Sequence, residues 1–152
     1  AFIEAEALGA NYRDLVDRVA AALPAQSRVI AINGAQGSGK STLARALALK
    51  LEDAGKRVAV LSLDDLCLPR AARERLAADV HPLLRTRGPP GTHDVALGIA
   101  TIGALLQGGP VRAPRFDKGV DDRAPDEVFD GPADIVLSQA QDAEVLVFDL
   151  NK

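Results

Sequence analysis

Apolar and polar positions change their period several times along the chain, and each change predicts an element. Between Asn11 and Leu23, apolar side chains fall at Tyr12, Leu15, Val16, Val19 and Leu23. That is one face of an amphipathic helix, and Pro24 closes it. Arg28-Val29-Ile30-Ala31-Ile32 is a short, β-branched, apolar run, the pattern of a buried strand. Leu43, Ala46, Leu47, Leu49 and Leu51 then recur at helical spacing as far as Gly55, a suitable C-cap. Val58-Ala59-Val60-Leu61-Ser62-Leu63 is a second buried strand, and it ends in Asp64-Asp65. Strand, helix, strand at this length is a βαβ unit, which implies parallel strands and a right-handed crossover.

Beyond Pro69, Arg70-Ala71-Ala72-Arg73-Glu74-Arg75-Leu76 reads as a basic helix. Its arginines suit a solvated face. After the turn Gly88-Pro89-Pro90-Gly91, Thr92 or Asp94 is expected to cap another helix. Val95, Ile99, Ile102, Leu105 and Leu106 are expected on its buried face, and Gly108-Gly109 ends it. Val111 to Phe116 reads as a short strand in spite of Pro114, and Asp117 to Asp130 as a charged loop. Ile135-Val136-Leu137 and Val145-Leu146-Val147-Phe148 read as the last strands. The expected fold class is α/β, a mostly parallel sheet flanked by helices, with residues 1–152 in one domain.

The chemistry concentrates between the first strand and the helix after it. Gly34-Ala35-Gln36-Gly37-Ser38-Gly39-Lys40-Ser41-Thr42 fits G-x-x-x-x-G-K-[ST], the phosphate-binding loop of the P-loop NTPase fold. So short a pattern needs its setting, and strand, Gly-rich loop, helix is that setting. The glycines allow positive φ and let backbone N–H groups approach phosphate oxygens. The helix adds the positive end of its dipole. Lys40 is placed to reach the β- and γ-phosphates, and the Ser41 hydroxyl to ligate Mg²⁺. ATP and Mg²⁺ are the expected cofactors. Asp64 and the loop both fall at the carboxyl edge of the parallel strands, where open α/β sheets bind ligands.

Composition removes other classes. A chain of 152 residues buries roughly two thirds of its unfolded surface, enough for one core. Its apolar and charged fractions, 47% and 26%, are those of an ordinary globular protein. A net charge of −3 with no long basic tract argues against nucleic acid as the main partner. No run of 18 apolar residues occurs, so no membrane span is expected. Ala1 to Ala10 lacks the pattern of a signal peptide. Cys67, the single cysteine, fits a reducing cytoplasm and reads as a small filler.

Five stretches occur in one order: Gly34 to Thr42, Ser62-Leu63-Asp64-Asp65-Leu66, Arg87-Gly88-Pro89-Pro90-Gly91-Thr92-His93-Asp94, Pro114-Arg115-Phe116-Asp117-Lys118, and Asp121-Asp122-Arg123-Ala124-Pro125. Together they resemble D-glycerate 3-kinase, a P-loop kinase grouped with uridine kinase and phosphoribulokinase. The resemblance covers about residues 28 to 137. It implies ATP-dependent phosphorylation of a small hydroxy acid. In that group the acid after the second strand is the general base, and Asp64 matches it. A carboxylate near the γ-phosphate can orient the acceptor hydroxyl and take its proton, and it can also touch Mg²⁺. An acidic turn that caps the next helix has the same pattern, and Asp65 suits that role.

The resemblance also implies substrate residues. Asp94 matches an acid that contacts acceptor hydroxyls, though a helix N-terminus attracts such a charge by itself. His93 is a donor to a substrate oxygen or a loop filler. Arg115 and Arg123 suit a bidentate grip on a carboxylate, the signature of a small anionic substrate, though arginines are also common on surfaces. The chain departs from the family where a Glu-Gly-Trp is expected, since Ile135-Val136-Leu137 runs into Ser138-Gln139-Ala140-Gln141. It is also shorter than family chains, so a missing lid and metal-side glutamate are expected. Two other classes share the loop. A GTPase switch needs Asp-x-x-G, and none occurs between the loop and the apolar strand before Asn151-Lys152, a pair that is a faint match to a guanine-reading motif. Asp149 has the look of a Walker B acid. A non-catalytic nucleotide-binding module remains the third reading.

Overall fold

The computed structural model describes residues 10–35 and 37–141. Helix α1 (Ala10–Ala22) precedes strand β1 (Val29–Gly34). The phosphate loop leads into α2 (Lys40–Asp53), and β2 (Val58–Ser62) follows. A single 3₁₀ turn, Leu63–Leu66, links β2 to α3 (Arg70–Asp79). Another, Pro82–Arg85, precedes α4 (Val95–Gln107). The hairpin β3 (Val111–Asp117) and β4 (Asp122–Phe129) leads to β5 (Ile135–Gln141).

The main sheet is parallel, with strand order β1-β5-β2. The last strand among the described residues therefore enters between the first two: Val136 is opposite Val29 on one side and Ala59 on the other. Alternation divides the core into two layers. Ile30, Ile32, Val58, Val60, Ile135 and Leu137 face α1 and α2, packing on Leu47, Ala48, Leu51, Val19 and Leu23. Val29, Ala59 and Val136 face the other way, onto Ile102, Leu105 and Val111. These strands read as unbroken apolar runs because both faces are covered.

Two expectations are corrected. The stretch expected as a charged loop from Asp117 to Asp130 contains β4, paired antiparallel with β3. Its charged side chains hid a strand whose outer face meets solvent. On α4 the buried residues are Gly98, Thr101 and Leu105. Val95 and Ile99 are 58% and 57% exposed. A Cβ on Gly98 would lie 2.6 Å from a Leu66 methyl, so the helix docks there on its glycine. That contact turns α4 by roughly a quarter turn from the face its aliphatic residues suggest. The expected strand Val145–Phe148, with Asp149, Asn151 and Lys152, lies outside the described residues. Among the described residues no helix is long and apolar enough to cross a membrane.

Candidate active site

The phosphate loop is built by backbone conformations that glycine permits. Gly37 and Gly39 have φ of 75° and 85°, in the left-handed region. Gly39 is also the N-cap of α2, and no side chain caps that helix. Its first-turn N–H groups are left for an anion. Gly34 closes tightly on the loop: a Cβ there would lie 3.0 Å from the Ser38 hydroxyl. Lys40 Nζ donates to the carbonyls of Gly34 and Ala35, each at 2.6 Å. Those bonds fold the ammonium back over the loop. Gln36 lies outside the described residues.

A cleft of about 320 Å³ opens on this loop. Gly37, Gly39, Lys40, Ser41 and Thr42 form one wall, and Ser62, Leu63, Asp64, Gly88, His93 and Lys118 the other. The two adjacent aspartates part company here. The Asp65 carboxylate accepts from Ser62 N at 3.0 Å, Arg115 Nη1 at 3.0 Å and Phe116 N at 3.1 Å. With Ser62 it forms a capping box on the 3₁₀ turn. Asp65 is therefore spent on the frame. Asp64 faces the cleft, where Lys118 Nζ lies 2.5 Å from its Oδ2. One residue of 3₁₀ turn separates the two fates.

His93 reaches the cleft because its loop is stitched to the turn after β2. Leu68 N donates to Thr92 O and Asp94 N to Leu66 O, each at 2.8 Å. The buried Thr92 hydroxyl closes the loop by accepting from Gly88 N and donating to Pro89 O. Burial pushes the His93 imidazole below its ordinary value of 6.5, and the Asp64 charge opposes that only in part. Cys67 is fully buried, and burial with the Asp64 charge raises its thiol. That suits packing rather than nucleophilic work.

The other expected substrate residues lie elsewhere. Asp94 is the N-cap of α4, its Oδ1 accepting from Leu97 N at 2.9 Å. Arg115 pairs with Asp65 and Glu127 and donates to Val60 O. Arg123 donates to the carbonyls of Asp65 and Leu66. Neither arginine lines the cleft. Pairing of β3 with β4 swings both onto the 3₁₀ turn, where Arg115 is taken up by Asp65, Glu127 and Val60 O, and Arg123 reaches two backbone carbonyls while its buried Nε has no hydrogen-bond partner among the described residues. Lys118 was expected only as part of a charged loop. Its place in Phe116-Asp117-Lys118, beside the turn opened by Asp117, was the available signal.

Mg²⁺ takes hard oxygen donors, keeps several waters and binds through one or two carboxylates plus phosphates. The Ser41 hydroxyl and the Asp64 carboxylate, on facing walls of one cleft, fit that requirement. Among the described residues no cluster of three or more acidic, His or Cys side chains forms a closed metal cage. At the matching end of β5, Gln139 is in register with Ile32 and Ser62.

Comparison with known proteins agrees with this architecture. A family model described as methylmalonyl Co-A mutase-associated GTPase MeaB matches residues 2–69. The uncharacterized kinase mug58 of Schizosaccharomyces pombe is 40% identical over 94 residues, 59% of this chain and 34% of its own length. The chloroplastic D-glycerate 3-kinase of Arabidopsis thaliana is 32% identical over 122 residues, 72% of this chain and 27% of its own length. The chain thus spans about a third or less of these curated relatives. A solved D-glycerate 3-kinase from Cryptococcus neoformans superposes with a TM-score of 0.64 at 28% identity, over 88% of this chain and 53% of that one. A structure titled a possible uridine kinase, from Bacillus stearothermophilus, superposes at 0.59 with 23% identity, over 85% and 71%, and bears on the fold alone. The fold is that of the P-loop kinases, and the chain has D-glycerate 3-kinase homologues by sequence and by structure.

Proposed function

We propose that this P-loop kinase chain carries the nucleotide site and base of an ATP-dependent phosphotransferase whose acceptor is a small anionic hydroxy acid, D-glycerate first among them. The observation that carries this is one cleft in which Lys40, Ser41 and Thr42 face Asp64, His93 and Lys118. A transferase needs a carboxylate opposite the lysine to take the acceptor's proton, and Asp64 stands there.

The loop N–H groups and Lys40 bind the polyphosphate and orient its γ-group toward Asp64. Ser41 and Asp64 would hold Mg²⁺, which when bound neutralises charge on the phosphate oxygens. The acceptor oxygen forms a bond to the γ-phosphorus as the bridging oxygen leaves with ADP, and Asp64 takes the hydroxyl proton. Lys118 holds the Asp64 carboxylate in place and adds positive charge beside the transferring group. Neutral His93 offers one N–H and one lone pair to an acceptor hydroxyl. A reducing setting such as the cytoplasm suits the lone buried thiol of Cys67.

The match of residues 2–69 to a GTPase family favours a second reading, nucleotide hydrolysis without an acceptor. That match ends just past β2 and covers the βαβ unit common to both classes. The test is an assay of ATP and GTP with D-glycerate, uridine, pantothenate and ribulose 5-phosphate. ATP-dependent transfer to glycerate is expected. GTP hydrolysis with no transfer to any acceptor would refute the kinase reading. Transfer to uridine or ribulose 5-phosphate alone would overturn only the choice of acceptor.

A further inference from the structure

A second cavity, of about 500 Å³, adjoins the phosphate cleft and shares Asp64 and Gly88 with it. Its other walls are Arg70, Arg85, Thr86, Arg87 and Asp121. Three arginines thus line one cavity with the carboxylate that faces the phosphate cleft. The wall is a built one. Arg73, fully buried, donates to Arg85 O at 2.7 Å, to Asp121 O at 2.6 Å and to Leu68 O at 3.1 Å. Its guanidinium and that of Arg87 lie 5.8 and 6.0 Å from the Phe116 ring centroid. Asp121 is held at φ 55° and bridges Arg73 and Arg87.

The arginines are not equally engaged. Asp121 is consumed by Arg73 and Arg87, whose hydrogen bonds keep its carboxyl below the usual range. The Arg70 side chain pairs with Glu74 in an exposed pair, and its backbone N–H donates to Asp122 Oδ1 at 3.0 Å. The Arg85 guanidinium has no hydrogen bond or ion pair among the described residues, although its backbone is pinned by Arg73. A cationic group fixed at its root and free at its tip, beside a cavity, is arranged for an anion.

We propose that this arginine chamber, and not Arg115 or Arg123, binds the oxyanion end of the acceptor, a carboxylate or a phosphate ester, and so presents its hydroxyl to Asp64 across the shared wall. The identity of the occupant as the acceptor rests on the kinase reading; the anion site itself does not. Arg85→Ala removes a side chain with no partner among the described residues, so the variant should fold normally.

The experiment is calorimetric titration with D-glycerate, glycerol 3-phosphate and uncharged glycerol, beside kinetics with MgATP. Arg85→Ala and Arg87→Ala should weaken the binding anion by roughly 10- to 100-fold and raise its KM, with kcat and the ATP KM changed less. Glycerol should bind weakly to every form. Tighter binding of glycerate or of glycerol 3-phosphate decides whether the chamber takes a carboxylate or a phosphate ester. Transfer to glycerate with its KM unchanged in Arg85→Ala would overturn the chamber and leave the kinase reading standing. Anion binding that is lost in Arg85→Ala, in a protein that phosphorylates nothing, would overturn the kinase reading and leave the chamber standing. Wild-type protein that binds neither anion, or binds glycerol equally well, overturns the chamber.

Discussion

Removing the Asp65 carboxylate should damage the fold, whereas removing its neighbour's should damage the reaction. In Asp65→Ala, the N–H groups of Ser62 and Phe116 lose an ionised acceptor at 3.0 and 3.1 Å. Each such bond is worth about 1.5–3 kcal/mol, nearer the lower figure where water can re-enter. The Arg115 side chain is 27% exposed and that of Asp65 14%, and Arg115 keeps Glu127. That pair therefore adds only about 1 kcal/mol. The total is about 4 kcal/mol, or roughly 8–16 °C in Tm for a domain of this size. Asp64→Ala loses one ion pair to a largely exposed Lys118, so its stability should change by less than about 1 kcal/mol. Urea unfolding and thermal melts of both variants measure the difference. Asp64→Asn, assayed for turnover, should fall by roughly 10²–10⁴-fold while ATP affinity changes little. Equal stabilities of the two alanine variants, or a turnover loss confined to Asp65→Asn in a folded protein, would show that the division of labour drawn from the 3₁₀ turn is wrong.

Two further outcomes are expected. Lys40→Ala removes the ammonium now bonded to Gly34 and Ala35 and should cost about 2–4 kcal/mol of transition-state stabilisation, read as kcat/KM with MgATP; unchanged affinity and turnover would sink the phosphate assignment. Burial holds the His93 imidazole below 6.5, so the neutral form is favoured in the folded state and its contribution to stability is fully present above pH 6.5 and lost as pH falls through the lower folded value. Urea unfolding from pH 7.5 to 5 should therefore show wild type losing stability relative to His93→Gln as the solution is acidified, and a constant difference would refute the burial argument.

The chain's local patterns settled its local elements and its phosphate site. A phosphate loop needs left-handed glycines, a lysine and a hydroxyl at fixed spacing, followed by a helix. All of that lies within nine consecutive residues, from Gly34 to Thr42. The buried strands were legible because both of their faces are covered, and α2 because Gly55 does end it, at φ 79°. What the pattern left open was every decision between distant residues. Only pairing put β5 between β1 and β2. Only packing, with Gly98 against Leu66 and Leu105 in the core, set the rotation of α4, against the preference of Val95 and Ile99. Asp64 and Asp65 are identical in type and adjacent in sequence. They are told apart by Arg115 and Phe116, some fifty residues on. The hairpin drew Arg115 and Arg123 into the frame, and a buried Arg73 pinned Arg85 and Asp121 around a cavity. Hydrogen-bond donors carry no mark in the sequence that says which acceptor will use them, because that is fixed by packing across the chain and not by spacing along it.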